Sequence, residues 1–180
     1  MKDLSKLFSE SMNEVIRAGI KPGNIDTVTI NTRAKSRFGQ CKYNRNTGNY
    51  SININAALLE ESVTDVSTKT TIIHEILHTC RGCMNHGAQW QNLADVMNRR
   101  YGYNIKTTSS FAEKGVEAPK PRQNRYEVSC VSCDMKVYYK RAAHVVDNPS
   151  LFRCGRCGGK LVVKSLVPGV EIWTAANKEG

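Results

Sequence analysis

The sequence predicts an α+β protein in two parts, a larger helix-and-sheet domain followed by a small β module. Three observations carry this prediction. Apolar residues recur at spacings of three and four near residues 4–16, 72–77 and 90–97, the mark of helices with one buried face. Short alternating runs lie between the first two of these stretches, and two CxxC pairs occur in the last third of the chain.

Taken in order, Leu4, Leu7, Phe8, Met12, Val15 and Ile16 line one side of a helix over residues 3–18 that Gly19 ends. Lys21-Pro22-Gly23-Asn24 is a turn, and Asp26–Asn31 alternates as a half-buried strand does. Gly39–Asn44 and Asn49–Asn55 flank Arg45-Asn46-Thr47-Gly48, whose Asn and Gly suit a tight turn, so the pair reads as a hairpin. Period two in its second strand sends Tyr50, Ile52 and Ile54 to one face and Ser51, Asn53 and Asn55 to the other. Asp65 or Ser67 caps the next helix.

That helix carries His74-Glu75-Ile76-Leu77-His78. Residues four apart share a helix face, so the two imidazoles can reach one metal ion, and Glu75 stands beside them. This is the HExxH arrangement, in which neutral histidines hold zinc and the carboxylate takes a proton from water that the metal makes acidic. Ile72, Ile73, Ile76 and Leu77 give the helix the apolar side that anchors it. A catalytic zinc needs a third protein ligand. No glutamate follows at about twenty residues, and Arg81 and Met84 stand where the metzincin pattern has glycine and histidine. His86, separated from His78 by seven residues, is the remaining nearby donor. Trp90, Leu93, Val96 and Met97 then mark a helix from Ala88 to about Arg100, with Trp90 placed in the core.

His74-Glu75-Ile76-Leu77-His78, a short loop, then Asn85-His86-Gly87 with Trp90 after it, resembles the SprT-like zinc metallopeptidases, the family of the Spartan protease domain. The resemblance covers roughly residues 1–105 and, through a zinc ribbon that some members carry, extends to about residue 165. It implies a zincin-like catalytic domain, with His74, His78 and His86 holding a catalytic zinc and Glu75 as general base. It also implies a protein substrate attached to or bound on DNA. In such peptidases the sheet edge beside the active-site helix commonly receives extended polypeptide, so the row Ser51, Asn53, Asn55 faces either substrate or plain solvent.

Three features stay open. Cys80 and Cys83 form a CxxC pair beside two proposed ligands; they bind a second metal, form a redox-labile disulfide, or are small residues of a tight loop. The oxyanion donor is not evident, with Tyr101, Tyr103 and Arg81 as candidates. Residues 106–124, with Lys114, Lys120 and Arg122, read as a basic linker that either tracks a phosphate backbone or stays solvated.

The second module spans residues 125–167. Cys130, Cys133, Cys154 and Cys157 form two CxxC pairs twenty residues apart, the spacing of a four-cysteine structural zinc site with no position left for water. Lys136–Arg141 and Lys160–Lys164 read as strands of a small ribbon. So short a segment buries too little surface to fold alone, and metal binding would drive its folding. Tyr138, Tyr139, Lys140, Arg141, Arg153 and Arg156 either contact single-stranded nucleic acid or, for the tyrosines, pack the ribbon's own core. Residues 168–180, with Trp173, form a tail.

Composition narrows the classes. No apolar run reaches the roughly 18 residues of a membrane span. The N-terminal residues lack the apolar stretch of a secretory signal, and an odd cysteine count with two CxxC pairs suits metal binding in a reducing compartment, so the expected location is cytoplasmic. The net charge of +10 divides as 13 basic and 9 acidic residues in 1–100 and 13 and 7 in 101–180, an excess that favours polyanion partners. The expectation is a monomeric zinc endopeptidase with two zinc ions, one catalytic and one structural, acting on protein held on DNA, single-stranded DNA favoured. The rivals are a catalytically silent nucleic-acid adaptor and a general cytosolic peptidase indifferent to DNA.

Overall fold

The computed structural model describes residues 1–168. They fall into two compact units, Met1–Pro119 and Lys120–Gly180, the second described as far as Pro168. Trp173 lies outside the described residues.

The first unit opens with helix α1, Leu4–Arg17, which Asp3 caps by accepting the N–H groups of Ser5 and Lys6 at 2.8 and 3.2 Å. Strands β1 (Ile25–Asn31), β2 (Gly39–Tyr43) and β3 (Tyr50–Asn55) form a sheet in the order β1-β3-β2. The expected hairpin is present: β2 and β3 pair antiparallel from Gly39↔Ile54 to Tyr43↔Tyr50. Gly48, at φ +75°, makes the turn between them, a conformation that favours glycine. Strand β1 returns parallel to β3, so β3 is central and β2 is an edge.

That order corrects the reading of the polar row on β3. Ile52 and Ile54 are fully buried as expected, but Asn53 and Asn55 of the row opposite are bonded inside the protein. Asn53 donates to Thr29 Oγ1 at 2.8 Å. Asn55 is buried, donating to the carbonyls of Ala34 and Arg37 at 2.9 Å each while its own oxygen accepts the Ala57 N–H. A central strand has no free rim; the edges of this sheet belong to β1 and β2, of which β2 is the one beside Glu75.

Helix α2, Asp65–Leu77, packs across this sheet and against α1. Its cap is Thr64, whose hydroxyl accepts the Ser67 N–H at 3.2 Å, not Asp65 or Ser67. Those two fall inside the first turn because the helix starts earlier than either reading requires. Ile72, Ile73, Ile76 and Leu77 are fully buried. At about 1.5–3 kcal/mol for each such side chain, this face fixes the helix firmly. Helix α3, Ala88–Tyr101, buries Trp90, Ala94 and Met97 and ends at Gly102 in the left-handed region.

Residues 106–119 are not linker. Helix α4, Phe111–Lys114, is held by a reciprocal cap between Ser110 and Glu113, and the Ser67 hydroxyl donates to the Lys114 carbonyl at 2.9 Å. Phe111 packs on Phe38, ring centroids 4.7 Å apart. A single helical turn has no apolar period to read, which is why the segment looks unstructured in the sequence.

In the second unit β4 (Tyr126–Cys130), β5 (Lys136–Tyr139) and β6 (Leu161–Ser165) form an antiparallel sheet ordered β5-β4-β6. A helical turn α5, His144–Asp147, and a 3-10 turn, Pro149–Leu151, cross from β5 to the second CxxC pair. The central strand β4 and both turns were not evident in the sequence, whose periodicity marks only the outer strands. Among the described residues no helix is long and apolar enough to cross a membrane.

Candidate metal centre and cleft

His74, in the last turn of α2, and His78, its C-cap residue, project from the same helix face. The chain then turns through Thr79–Gly87, with Gly82 at φ +77°, and brings back His86. This loop is tied down at both ends. The Cys83 N–H donates to the Cys80 carbonyl at 3.0 Å, the Gly87 N–H to Asn85 Oδ1 at 3.1 Å, and Gln91 to the His86 carbonyl at 2.9 Å.

The three Nε2 atoms converge at 3.3 Å (His74–His78), 3.1 Å (His78–His86) and 3.0 Å (His74–His86). His78 Nδ1 lies 2.7 Å from the Cys83 carbonyl, which only accepts, so Nδ1 carries the proton and Nε2 presents a lone pair. His74 has a backbone hydrogen bond to Lys106 that favours its protonated ring, as a carbonyl acceptor does. Burial pulls the His74 imidazole down to about 3, with His78 and His86 adding to the shift; burial likewise lowers His78 and His86. Neutral donors that crowd their lone pairs together repel unless a cation sits among them. Ligands about 2.0–2.1 Å from a tetrahedral zinc lie about 3.3 Å apart, so the set fits such an ion.

Trp90 forms the wall behind these rings. Its centroid is 4.7 Å from His74, 5.5 Å from His78 and 4.5 Å from His86, and it is almost fully buried. It is a core residue, as the sequence suggested, and also the surface on which the three imidazoles rest, which sequence reasoning missed.

Glu75 points into a cleft of about 250 Å³ that it shares with His74. Burial lifts its carboxyl to about 7, against a Cys41 backbone hydrogen bond and the charges of Arg37 and Lys114, which draw it down. Gly39 on β2 faces it so closely that no side chain fits between. The opposite wall comes from Ile105–Ser109 and Lys114. Lys114 is only 6% exposed, and burial lowers its ammonium to about 8.

The candidate oxyanion donors are elsewhere. Tyr101 donates to the Glu14 carbonyl at 3.0 Å and Tyr103 to the Glu14 carboxylate at 2.6 Å, both turned toward α1. Arg81 is exposed on the metal loop and does not line the cleft. Cys80 and Cys83 are buried and free, held in the tight loop that supplies the His78 acceptor.

In the second unit the sulfurs of Cys130, Cys133, Cys154 and Cys157 gather within 4.8 Å of one another. Cys130 and Cys157 are 3.5 Å apart and Cys133 and Cys154 3.7 Å. Zinc–sulfur bonds of about 2.3 Å place tetrahedral sulfurs about 3.8 Å apart, so the group fits a closed site of the zinc-ribbon kind. The N–H groups of Arg156 and then Cys157 hold the Cys154 thiol down to about 7, toward the thiolate that a metal needs. Tyr138 is exposed and Tyr139 half-buried, so the tyrosines do not form a shared core; Lys140, Arg141 and Arg156 are exposed, and the Arg153 guanidinium is bonded to the Ser150 and Phe152 carbonyls.

Among known proteins, the model of the SprT-like family matches residues 4–109, which include the three histidines and the cleft lining other than Lys114. No curated protein matches the chain.

Proposed function

We propose that this chain, which belongs to the SprT-like family, is a zinc-dependent endopeptidase that acts on protein held on DNA. The observation that carries the proposal is the convergence of three imidazole Nε2 atoms beside a buried carboxylate in one cleft.

His74, His78 and His86 would hold the ion through Nε2. When bound, zinc supplies a Lewis acid that makes the attacking water acidic and polarises the scissile carbonyl. The Glu75 carboxylate takes the proton from that water and delivers it to the leaving amine; its burial raises its proton affinity toward neutrality, which suits a group that must do both. The unpaired edge of β2 runs past Glu75, and its main-chain groups are available to pair with an extended substrate strand.

The DNA part of the proposal is supported by charge and chemistry. The chain carries +10, and Tyr138 with Lys140, Arg141 and Arg156 exposes an aromatic ring among cations on the second unit. Glu75→Gln should retain zinc and lose cleavage of a DNA-bound protein, while single-stranded DNA should accelerate the wild type. Two zinc ions per chain without proteolysis would favour a silent adaptor. Cleavage unaffected by DNA or by loss of the second unit would favour a general peptidase.

A further inference from the structure

The cleft beside Glu75 holds positive charge that hydrolysis does not use. Its walls carry Arg37, Lys106 and Lys114 and one carboxylate, Glu75. Lys106 is neutralised, its Nζ 2.9 Å from Glu113 Oε1. Lys114 is buried, yet among the described residues its ammonium has neither an ion pair nor a hydrogen bond. Most of the Lys114 side chain is covered, and an ammonium so largely desolvated gains from an anion that bonds it directly, which Glu113 and Glu75 do not. The local structure nonetheless holds it there, through the Ser110–Glu113 cap and the bond from Ser67 to its carbonyl. Arg37 completes the set from the β1–β2 connection.

We propose that this cleft receives the carboxylate of an aspartate or glutamate side chain of the substrate, next to the bond that is cut, recognised by Lys114 and Arg37. The proposal rests on the endopeptidase reading. Three cations, Arg37, Lys106 and Lys114, outnumber the two carboxylates that act on them, Glu75 and Glu113, which leaves positive charge for a substrate carboxylate to meet. Size favours a side chain over a nucleic-acid backbone. About 250 Å³ holds a carboxylate arm, whereas a phosphodiester would have to bring sugar and base to the same wall as Glu75.

The test compares two capped peptides that differ only in Glu against Gln beside the scissile bond. The zinc-loaded full chain is used as wild type, Lys114→Gln and Arg37→Gln. Cleavage is read as the Glu:Gln ratio of kcat/KM, and binding is read by calorimetry on the Glu75→Gln protein with and without each second substitution. Charge-assisted recognition predicts a ratio of about tenfold or more in wild type, falling toward unity in both variants, with the same order in the binding data. Arg37 is exposed, so its variant keeps the test valid if Lys114→Gln lowers the melting temperature. Cleavage with no preference for Glu overturns the proposal and leaves the peptidase reading standing. Lys114-dependent binding of the Glu peptide without any cleavage supports the pocket and sinks the peptidase. Lys114-dependent binding of a single-stranded oligonucleotide, with no advantage for the Glu peptide, overturns the proposal in favour of a phosphate site.

Discussion

Gly39 and Glu75 are in contact to the exclusion of any side chain at position 39: a methyl group there would stand 2.7 Å from the Glu75 Cγ and 2.8 Å from its Cδ. The glycine is required by close approach, not by backbone conformation, since its φ is not positive. Gly39→Ala should therefore displace the carboxyl while leaving the three imidazoles alone. We expect zinc content unchanged and kcat/KM down by about 10²-fold, the scale of a misplaced catalytic group. Elemental analysis alongside a peptide assay checks this, and full activity in the variant would show that the Glu75 arm tolerates another position.

Trp90 supports all three metal donors from behind and fills the core between α2 and α3. Trp90→Ala should cost about 3–5 kcal/mol of stability and weaken zinc retention at the same time. Denaturant unfolding with and without added zinc measures both effects. A variant that loses stability but holds zinc as tightly as wild type would confine the ring to packing.

Chelation should separate the two units. The first buries a continuous apolar core from Leu4 to Ile105, whereas among the described residues the buried set of the second is Val128, Cys130, Val146 and Cys154, two of them ligand candidates of the metal group. Stripping metal should leave the amide resonances of residues 4–109 dispersed and collapse those of 126–165. Uniform loss across both, or retention in both, would contradict this division.

Acid should act on α4 through Glu113. The Ser110 N–H, then the Lys106 ammonium, hold its carboxyl down to about 2 from an ordinary 4.5. A folded value below the unfolded one gives stability that is complete above pH 4.5 and is lost as pH falls toward 2. Glu113→Gln should remove that part of the acid sensitivity, so the stability gap between wild type and variant narrows through this window in urea titrations. A gap independent of pH would show that the carboxylate contributes through shape alone.

The sequence was most legible where a period or a fixed spacing encodes geometry. Helices α1, α2 and α3 followed from apolar recurrence, the β2–β3 hairpin from the Asn and Gly of its turn, and the HExxH pair and the cysteine group from spacing, with His86 added by the family resemblance. What stayed hidden depends on contacts between distant residues. Nothing local marks Asn55 as the pin of the 34–37 loop, or Lys114 as buried beside a helix from much earlier in the chain. The edge position of β2 was likewise hidden, because it is decided by β1 returning parallel to β3, a pairing that no turn residue signals.

The proton on His78 Nδ1 is fixed by a main-chain carbonyl, that of Cys83. Every amino acid at position 83 brings the same oxygen, so the tautomer that aims this ring is written into the path of the chain and not into its lettering. Exchanging Cys83 leaves the aim intact; shortening the loop between His78 and His86 by one residue would lose it.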